Sequence, residues 1–105
     1  MKTIKTALGL DASADGLGAT AIGAWAKALG DSSVAIGALA KATEAGTVSF
    51  GSGDSVDPTR RFVNVAAGKR NTDAVNVGQL KAAIKLQASE IYELKRQLQA
   101  LAHPT

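Results

Sequence analysis

Short apolar segments recur every fourteen residues through the first half of the chain. Ala7-Leu8-Gly9 is followed in step by Ala21-Ile22-Gly23, Ala35-Ile36-Gly37 and the variant Ser49-Phe50-Gly51. Within each copy the residues alternate with a period of two, and Gly, Asp and Ser separate the copies, which predicts strands of about five residues joined by tight turns. Two strands and two turns fill one repeat, so the pattern predicts one coil of a β-solenoid per fourteen residues.

The runs 24–28 and 38–42 align between neighbouring repeats and carry the first candidate contacts. Trp25 takes the place of Leu39, on the face that the pattern gives to Lys27 and Lys41. An exposed aromatic side chain beside cations is typical of a ligand contact, so these residues are a candidate binding surface. The alternative, which the pattern favours, is that Trp25 packs between coils or subunits.

The pattern changes after Ser55. Pro58 lies in a polar link, residues 62–68 form a short extended run, and a helix is predicted to open behind Thr72 or Asp73 as its N-cap. From Val77 apolar residues alternate at spacings of three and four, which predicts a left-handed coiled coil. The predicted seam residues are Val77, Leu80, Ile84, Gln87, Ile91, Leu94, Leu98 and Leu101.

Gln87 is the one fully polar residue of this seam. It predicts a layer that sets the helix register at some cost in stability. The alternative is a ring of amides that holds water or an anion. Ile at the a positions with Leu at the d positions favours two parallel helices when a coiled coil stands alone.

The composition of the first half indicates an oligomer. Aromatic residues are 4% of the chain, and most of its apolar residues are Ala or Val. A single segment with so few large apolar side chains would struggle to offset its chain entropy. We therefore expect other copies of the chain to complete the core.

Charge is unevenly distributed, with four basic and five acidic residues up to position 55 and eight basic and four acidic residues after it. The basic residues lack interleaved aromatics, which argues against nucleic-acid binding. The densest basic group is Arg60, Arg61, Lys69 and Arg70. We expect it to pair with Asp57, Asp73 and carbonyls between subunits; the alternative is a grip on a sulfated polysaccharide or an acidic matrix protein.

No catalytic or metal-binding constellation can be assembled from the chain. It has no Cys, and its single histidine, His103, lies beside Pro104 near the end. No glycine-rich segment has the spacing of a nucleotide-binding loop. We expect no enzyme activity, no cofactor and no metal. The basic start at Lys2 is followed by no apolar run, so we expect no signal peptide there, and no stretch has the length of a membrane helix.

Two stretches resemble one known family. Residues 33–42 resemble the head repeat of the YadA-like trimeric autotransporter adhesins, and residues 61–68 and 71–81 closely match its neck. The resemblance implies a left-handed parallel β-roll head over 1–55, a neck over 56–76 and a parallel trimeric coiled-coil stalk over 77–105. The neck residues that it assigns to contacts in the trimer are Arg60, Arg61, Val63, Asn64, Val65, Lys69, Arg70 and Asp73.

This resemblance also implies a function. We expect a homotrimer on the surface of a Gram-negative bacterium that attaches to host extracellular matrix or cells. The resemblance implies that its parent protein is held in the outer membrane only through a C-terminal anchor outside this chain. The alternative is a structural trimer from a phage tail fibre or virion. Flanking coding sequence distinguishes them, because an adhesin is followed by a translocator barrel and a fibre by other tail proteins.

Overall fold

The computed structural model describes residues 4–54 and 58–102. The chain forms two compact units, Met1–Arg61 and Phe62–Thr105. The first unit contains seven short strands and the second contains one helix. The elements are β1 (Thr6–Leu8), β2 (Ser13–Ala14), β3 (Thr20–Ile22), β4 (Lys27–Ala28), β5 (Val34–Ile36), β6 (Lys41–Ala42), β7 (Val48–Ser49) and α1 (Val77–Ala102).

The first unit is the predicted β-solenoid. Strands β1, β3, β5 and β7 form one parallel sheet, and β2, β4 and β6 form a second. Each residue pairs with the residue fourteen positions later, as Thr6 does with Thr20 and Lys27 with Lys41. The repeat and the solenoid are therefore confirmed. We call the turns of the chain that contain β1–β2, β3–β4 and β5–β6 the first, second and third coils.

The strands are two or three residues long, not the predicted five, because left-handed corners interrupt them. Asp11, Trp25 and Leu39 occupy the same corner in successive coils with φ angles of 55°, 64° and 65°. A residue in this conformation cannot continue a strand. The prediction that placed Trp25 on a strand with Lys27 was wrong: Trp25 lies in the turn before β4.

A ladder of glycines lets the coils stack closely. Gly9, Gly23 and Gly37 have φ angles of 128°, 127° and 116°, which L side chains rarely adopt. A Cβ atom on Gly9 would also lie 2.6 Å from the carbonyl carbon of Gly23, and one on Gly23 would lie 2.6 Å from that of Gly37. Both the conformation and the space therefore require glycine.

The interior of the solenoid is lined by alanine. Among the described residues the largest fully buried side chain is that of Ser33. Leu8 and Leu10, in contrast, are 66% and 70% exposed. The large apolar side chains of the solenoid thus lie mainly on its outside. The buried apolar residues are Ala19, Ala21, Ala26, Ala28, Ala35, Ala40 and Ala42.

Successive coils are joined by a repeated pair of backbone hydrogen bonds. Near one end of the first sheet, Gly23 donates its N–H to Leu8 O and Gly37 donates to Ile22 O, both at 2.7 Å. Two residues later in each coil, Trp25 donates to Leu10 O at 2.8 Å, and the next coil repeats that bond. Each coil therefore supplies the donors for two carbonyls of the coil before it.

The guanidinium of Arg60 replaces these donors at the end of the solenoid. Phe50 O, which corresponds to Leu8 O, accepts from Arg60 Nη1. Ala38 O accepts from Arg60 Nη2 at 2.8 Å, whereas in the repeating pattern it would accept from Gly53 N–H, which instead donates to Pro58 O at 3.0 Å. One side chain thus replaces a donor of a further coil at Phe50 O and the diverted N–H of Gly53 at Ala38 O.

In the second unit, a reciprocal pair of side chains caps α1. Asn76 Oδ1 accepts from the N–H of Gln79 at 2.9 Å, and Gln79 Oε1 accepts from the N–H of Asn76 at 3.1 Å. This is a capping box, with Asn76 as the N-cap. The predicted caps, Thr72 and Asp73, were wrong, because both residues lie in the turn at residues 70–73, before the N-cap Asn76.

The same two side chains tie the preceding segment to the start of the helix. Gln79 accepts from the N–H of Gly68 at 2.9 Å and donates to Gly68 O at 3.0 Å, and Asn76 Nδ2 donates to Val65 O at 3.0 Å. The predicted extended run 62–68 is therefore held by side chains and forms no strand. Helix α1 itself contains no buried residue. No helix in the described parts of the chain has the length and apolarity needed to cross a membrane.

Candidate functional site

One outer surface of the solenoid is apolar. Ala21 and Ala35 point into the core, so their neighbours on β3 and β5 point outward by the alternation of a strand. Those neighbours pair in register along the sheet, as Ile22 does with Ile36. We call this surface the apolar face. It consists of Leu8, Ile22, Val34, Ile36, Val48 and Phe50.

The opposite outer surface, on the sheet of β2, β4 and β6, carries lysines. Ala28 and Ala42 point inward, so Lys27 and Lys41 point outward, and the two lysines are register neighbours. Parallel strands place their Cα atoms about 4.8 Å apart. Within residues 4–54 and 58–102, no carboxylate forms an ion pair with either ammonium group. We call this surface, with Ser13 in the first coil, the lysine face.

The surroundings of the lysine face change from coil to coil. In the first coil Ser13 lies between Asp11 and Asp15, and its hydroxyl donates to Asp15 Oδ1 at 2.6 Å. The equivalent flanking residues are Trp25 and Leu29 in the second coil. In the third coil they are Leu39 and Thr43. The face is therefore acidic in the first coil, and in the next two coils it is cationic with at least one apolar residue beside each lysine.

Trp25 holds an unusual backbone conformation at the corner beside this face. Its φ of 64° is costly for a bulky residue, and half of its surface is exposed. The equivalent Leu39 has the same conformation and is 47% exposed. The structure therefore brings Lys27 and Lys41 together and places Trp25 two residues before Lys27. Their contact with a ligand stays a prediction.

Residues of the predicted neck fall on both units. Arg60 uses its guanidinium on carbonyls of its own chain, as described above, and Arg61 ends the first unit. The carboxylate of Asp73 accepts the backbone N–H groups of Lys69 at 3.0 Å and Arg70 at 3.1 Å, which closes a turn within the chain. Pairing of these side chains between subunits stays a prediction. These N–H groups, that of Lys69 first, hold the pKa of Asp73 below its ordinary value. Asp57 lies outside the described residues.

The remaining residues of the predicted neck line an open groove of about 500 Å³. Val63, Asn64 and Val65 line one side, and Asn64 has a left-handed φ of 61°. Residues 74–77, which lead into α1, line another side of the groove and were not predicted as part of a site. The Asn-x-x-Gln spacing of the capping box is the sequence signal that marks this segment. The other lining residues are Phe62, Ala74, Val75, Asn76 and Val77.

The predicted seam lies along α1 and is exposed throughout. Seven of its eight residues are large and apolar, and each of the seven is more than half exposed; the eighth, Gln87, is exposed as well. An isolated helix gains little from such a stripe, because the stripe needs a facing helix to exclude water. No group of acidic, histidine or cysteine side chains in the described residues could hold a metal ion.

The fold and the sequence match known proteins. The family described as YadA head domain repeat matches residues 6–26, 14–40 and 28–53, and the coiled stalk of trimeric autotransporter adhesin matches residues 61–91. The crystal structure of the collagen-binding domain of the Yersinia adhesin YadA is similar, with 37% sequence identity and a TM-score of 0.70 over 77% of this chain and 45% of that one. The chain thus spans less than half the length of that structure. None of the curated proteins compared with the chain matches it.

A β-roll of head repeats with a coiled-coil helix after it defines the class of bacterial fibrous adhesins. Within this class, the chain belongs to the YadA-like trimeric autotransporter adhesins. The resemblance seen in the sequence is confirmed.

Proposed function

We propose that the chain is part of a homotrimeric adhesin, anchored in the outer membrane of a Gram-negative bacterium, that attaches the cell to host extracellular matrix or to other cells. Its role is binding and support, without catalysis. The observation that carries this proposal is the placement of large apolar side chains outside an alanine core. The family supplies the number of chains and the adhesive role.

The apolar face supports association of the solenoids. Apolar surface contributes about 25 cal/mol per Å² when it is removed from water, and an alanine interior buries little of it. Leu8 is 66% exposed and pairs in register with Ile22, so the apolar side chains form one continuous stripe. Packing of this stripe against equivalent stripes supplies the core that a single solenoid lacks.

Helix α1 supports association in the same way. It is 26 residues long, has no buried residue, and carries its apolar side chains at coiled-coil spacing. In a coiled coil that stands alone, Ile at the a positions and Leu at the d positions favour two helices. We propose three, because the solenoid and the helix belong to one polypeptide and the head repeats and stalk of this family form trimers.

The collagen-binding domain of YadA supports a partner in the host matrix. When three apolar faces pack together, the three lysine faces point away from the contact. Three identical surfaces on one particle raise avidity well above the affinity of a single surface. A matrix protein with repeated sites is therefore the partner that we propose.

Sedimentation equilibrium and binding to immobilised collagens test this proposal. We expect a particle of three times the 10.6 kDa chain mass at micromolar concentration. Ile22→Asp places a charge on the apolar face and should dissociate the solenoids. Ala45→Asp is the matched control, because Ala45 is an exposed turn residue and the previous coil has Asp31 at that position. A folded, stable monomer of the unmodified chain would overturn the proposal.

A further inference from the structure

The lysine face of the second and third coils has an uncompensated charge. Lys27 and Lys41 are register neighbours, and like charges beside each other on a sheet are destabilising. The first coil has carboxylates on both sides of the corresponding residue, Ser13, but the lysines have none at those positions. Bound anions at this spacing would remove the repulsion.

The corner beside the lysines carries a second, apolar row. Trp25 and Leu39 lie one above the other in successive coils, and both are about half exposed. Both also keep a left-handed backbone that Asp11 adopts at lower cost in the first coil. Residues held in such sparsely populated conformations cluster at functional sites. The indole of Trp25 offers a flat apolar surface beside a row of cations.

We propose that these two rows form a binding surface for a linear sulfated polysaccharide that lies along the stack of coils. The ammonium groups of Lys27 and Lys41 bind sulfate groups on neighbouring sugars, and the indole of Trp25 packs against the C–H face of a sugar ring. A small anion would use the lysines but leave the apolar row unused. The surface therefore fits a polymer that alternates anionic groups with apolar ring faces.

This inference rests on the proposed trimer for its accessibility and its strength. The apolar face and the lysine face belong to different sheets with the alanine core between them, so packing of the apolar faces leaves the lysines exposed. Three copies then present six lysines, and a long polysaccharide can bind more than one copy. Binding should weaken as salt rises, because exposed ion pairs are screened over about 10 Å at 0.1 M salt.

The experiment measures binding of the full chain to immobilised heparin by surface plasmon resonance. We expect Lys27→Gln with Lys41→Gln to weaken binding at least tenfold and Trp25→Ala to weaken it several-fold. The matched control, Lys81→Gln with Lys85→Gln, removes the same charge from α1 and should change binding less than twofold. Heparin stripped of its sulfates should not bind, and chondroitin sulfate should bind the unmodified chain and lose binding with the same variants.

Sedimentation of each variant separates this inference from the proposed function. A trimer that binds collagen but not heparin overturns the polysaccharide surface and leaves the adhesin intact. Equal losses in the two lysine pairs also overturn it, because they would show attraction by net charge alone. A monomeric chain would overturn the proposed function itself. Loss of heparin binding confined to the Lys27–Lys41 pair, in a trimer, supports the inference.

Discussion

Ser33 is a buried polar residue that the solenoid does not satisfy. Its side chain is fully buried, and its Oγ has no hydrogen-bond partner among the described residues. The coil before it has Ala19 at the same position, so an alanine fits there. A buried hydroxyl without a partner costs about 1–3 kcal/mol.

We therefore expect Ser33→Ala to raise the free energy of unfolding by about 1 kcal/mol, as measured by chemical denaturation followed by circular dichroism. Thr47, at the same position of the next coil, is the matched control. Its hydroxyl donates to Glu44 O at 2.7 Å, so Thr47→Ala should lower stability. A loss of stability in Ser33→Ala would show that its hydroxyl has a partner in the assembled protein.

Single residues show where sequence analysis stops. The pairing of Lys27 with Lys41 followed from the repeat, because a fixed period places equivalent residues on neighbouring rungs. The corner at Trp25 could not be predicted, because a bulky residue in the sequence does not indicate a positive φ. Asn76 was missed as the N-cap because Thr72 and Asp73 are equally good capping residues by type.

At the scale of elements, the end of the solenoid depends on Arg60. We expect Arg60→Ala to lower the free energy of unfolding by about 1–3 kcal/mol, because the carbonyls of Ala38 and Phe50 lose charged donors. Arg60→Lys should lose most of the same stability, because one ammonium group cannot reproduce a planar fork that reaches two acceptors. Full stability in Arg60→Lys would show that charge alone matters here. Both are measured by thermal unfolding.

The turn at residues 69–73 should make stability depend on pH. Hydrogen bonds from Lys69 and Arg70 lower the pKa of Asp73 in the folded chain. This contribution is fully present above the ordinary pKa of an aspartate, and it is lost as pH falls through the lowered folded value. We expect the melting temperature to fall through that acidic range.

Asp73→Asn separates this titration from the turn itself. Both backbone donors bind the same oxygen, Asp73 Oδ2, so an asparagine carbonyl can accept them without a titrating group. The melting temperature of this variant should fall less between pH 5 and pH 2, by an amount that circular dichroism resolves. An equal fall in both proteins would assign the acid sensitivity to other carboxylates.

The sequence predicted the type of each element better than its length. The period of two identified strands, but it could not show that corners shorten them to two or three residues. The heptad pattern located the helix from Val77, since coiled-coil spacing begins there. The termination by Arg60 was not predictable, because it depends on two carbonyls that lose their usual donors for different reasons: no further coil serves Phe50 O, and Gly53 N–H donates to Pro58 O instead of Ala38 O.

At the scale of the whole molecule, Gln87 tests how the helices associate. We expect Gln87→Leu to raise the melting temperature of α1 while three chains are retained, because a polar seam layer sets register at a cost in stability. Gln99→Leu is the matched control on the outer side of the helix and should have little effect. A shift to two chains in sedimentation would show that the polar layer, and not the solenoid, decides the number of chains.

The family and the architecture could be predicted from the sequence because a repeated fold needs the same residue type at the same position of each coil. Gly9, Gly23 and Gly37 recur because each adopts a positive φ, and a recurrence is easier to recognise than any single residue. The two outer faces were only partly accessible. The alternation assigned residues to sides, but only the alanine core showed which side of each strand is left for a partner.

The constant pairing interval also limits how such a protein can change in length during evolution. Because strands pair with those fourteen residues later, an insertion within a strand that is not a multiple of fourteen moves core alanines and tightly packed glycines out of register with the neighbouring coils. Duplication of one whole repeat keeps all these relations and adds about 4.8 Å to the solenoid. Homologous genes should therefore differ by whole multiples of this unit, and the reach of the adhesin should vary in discrete steps.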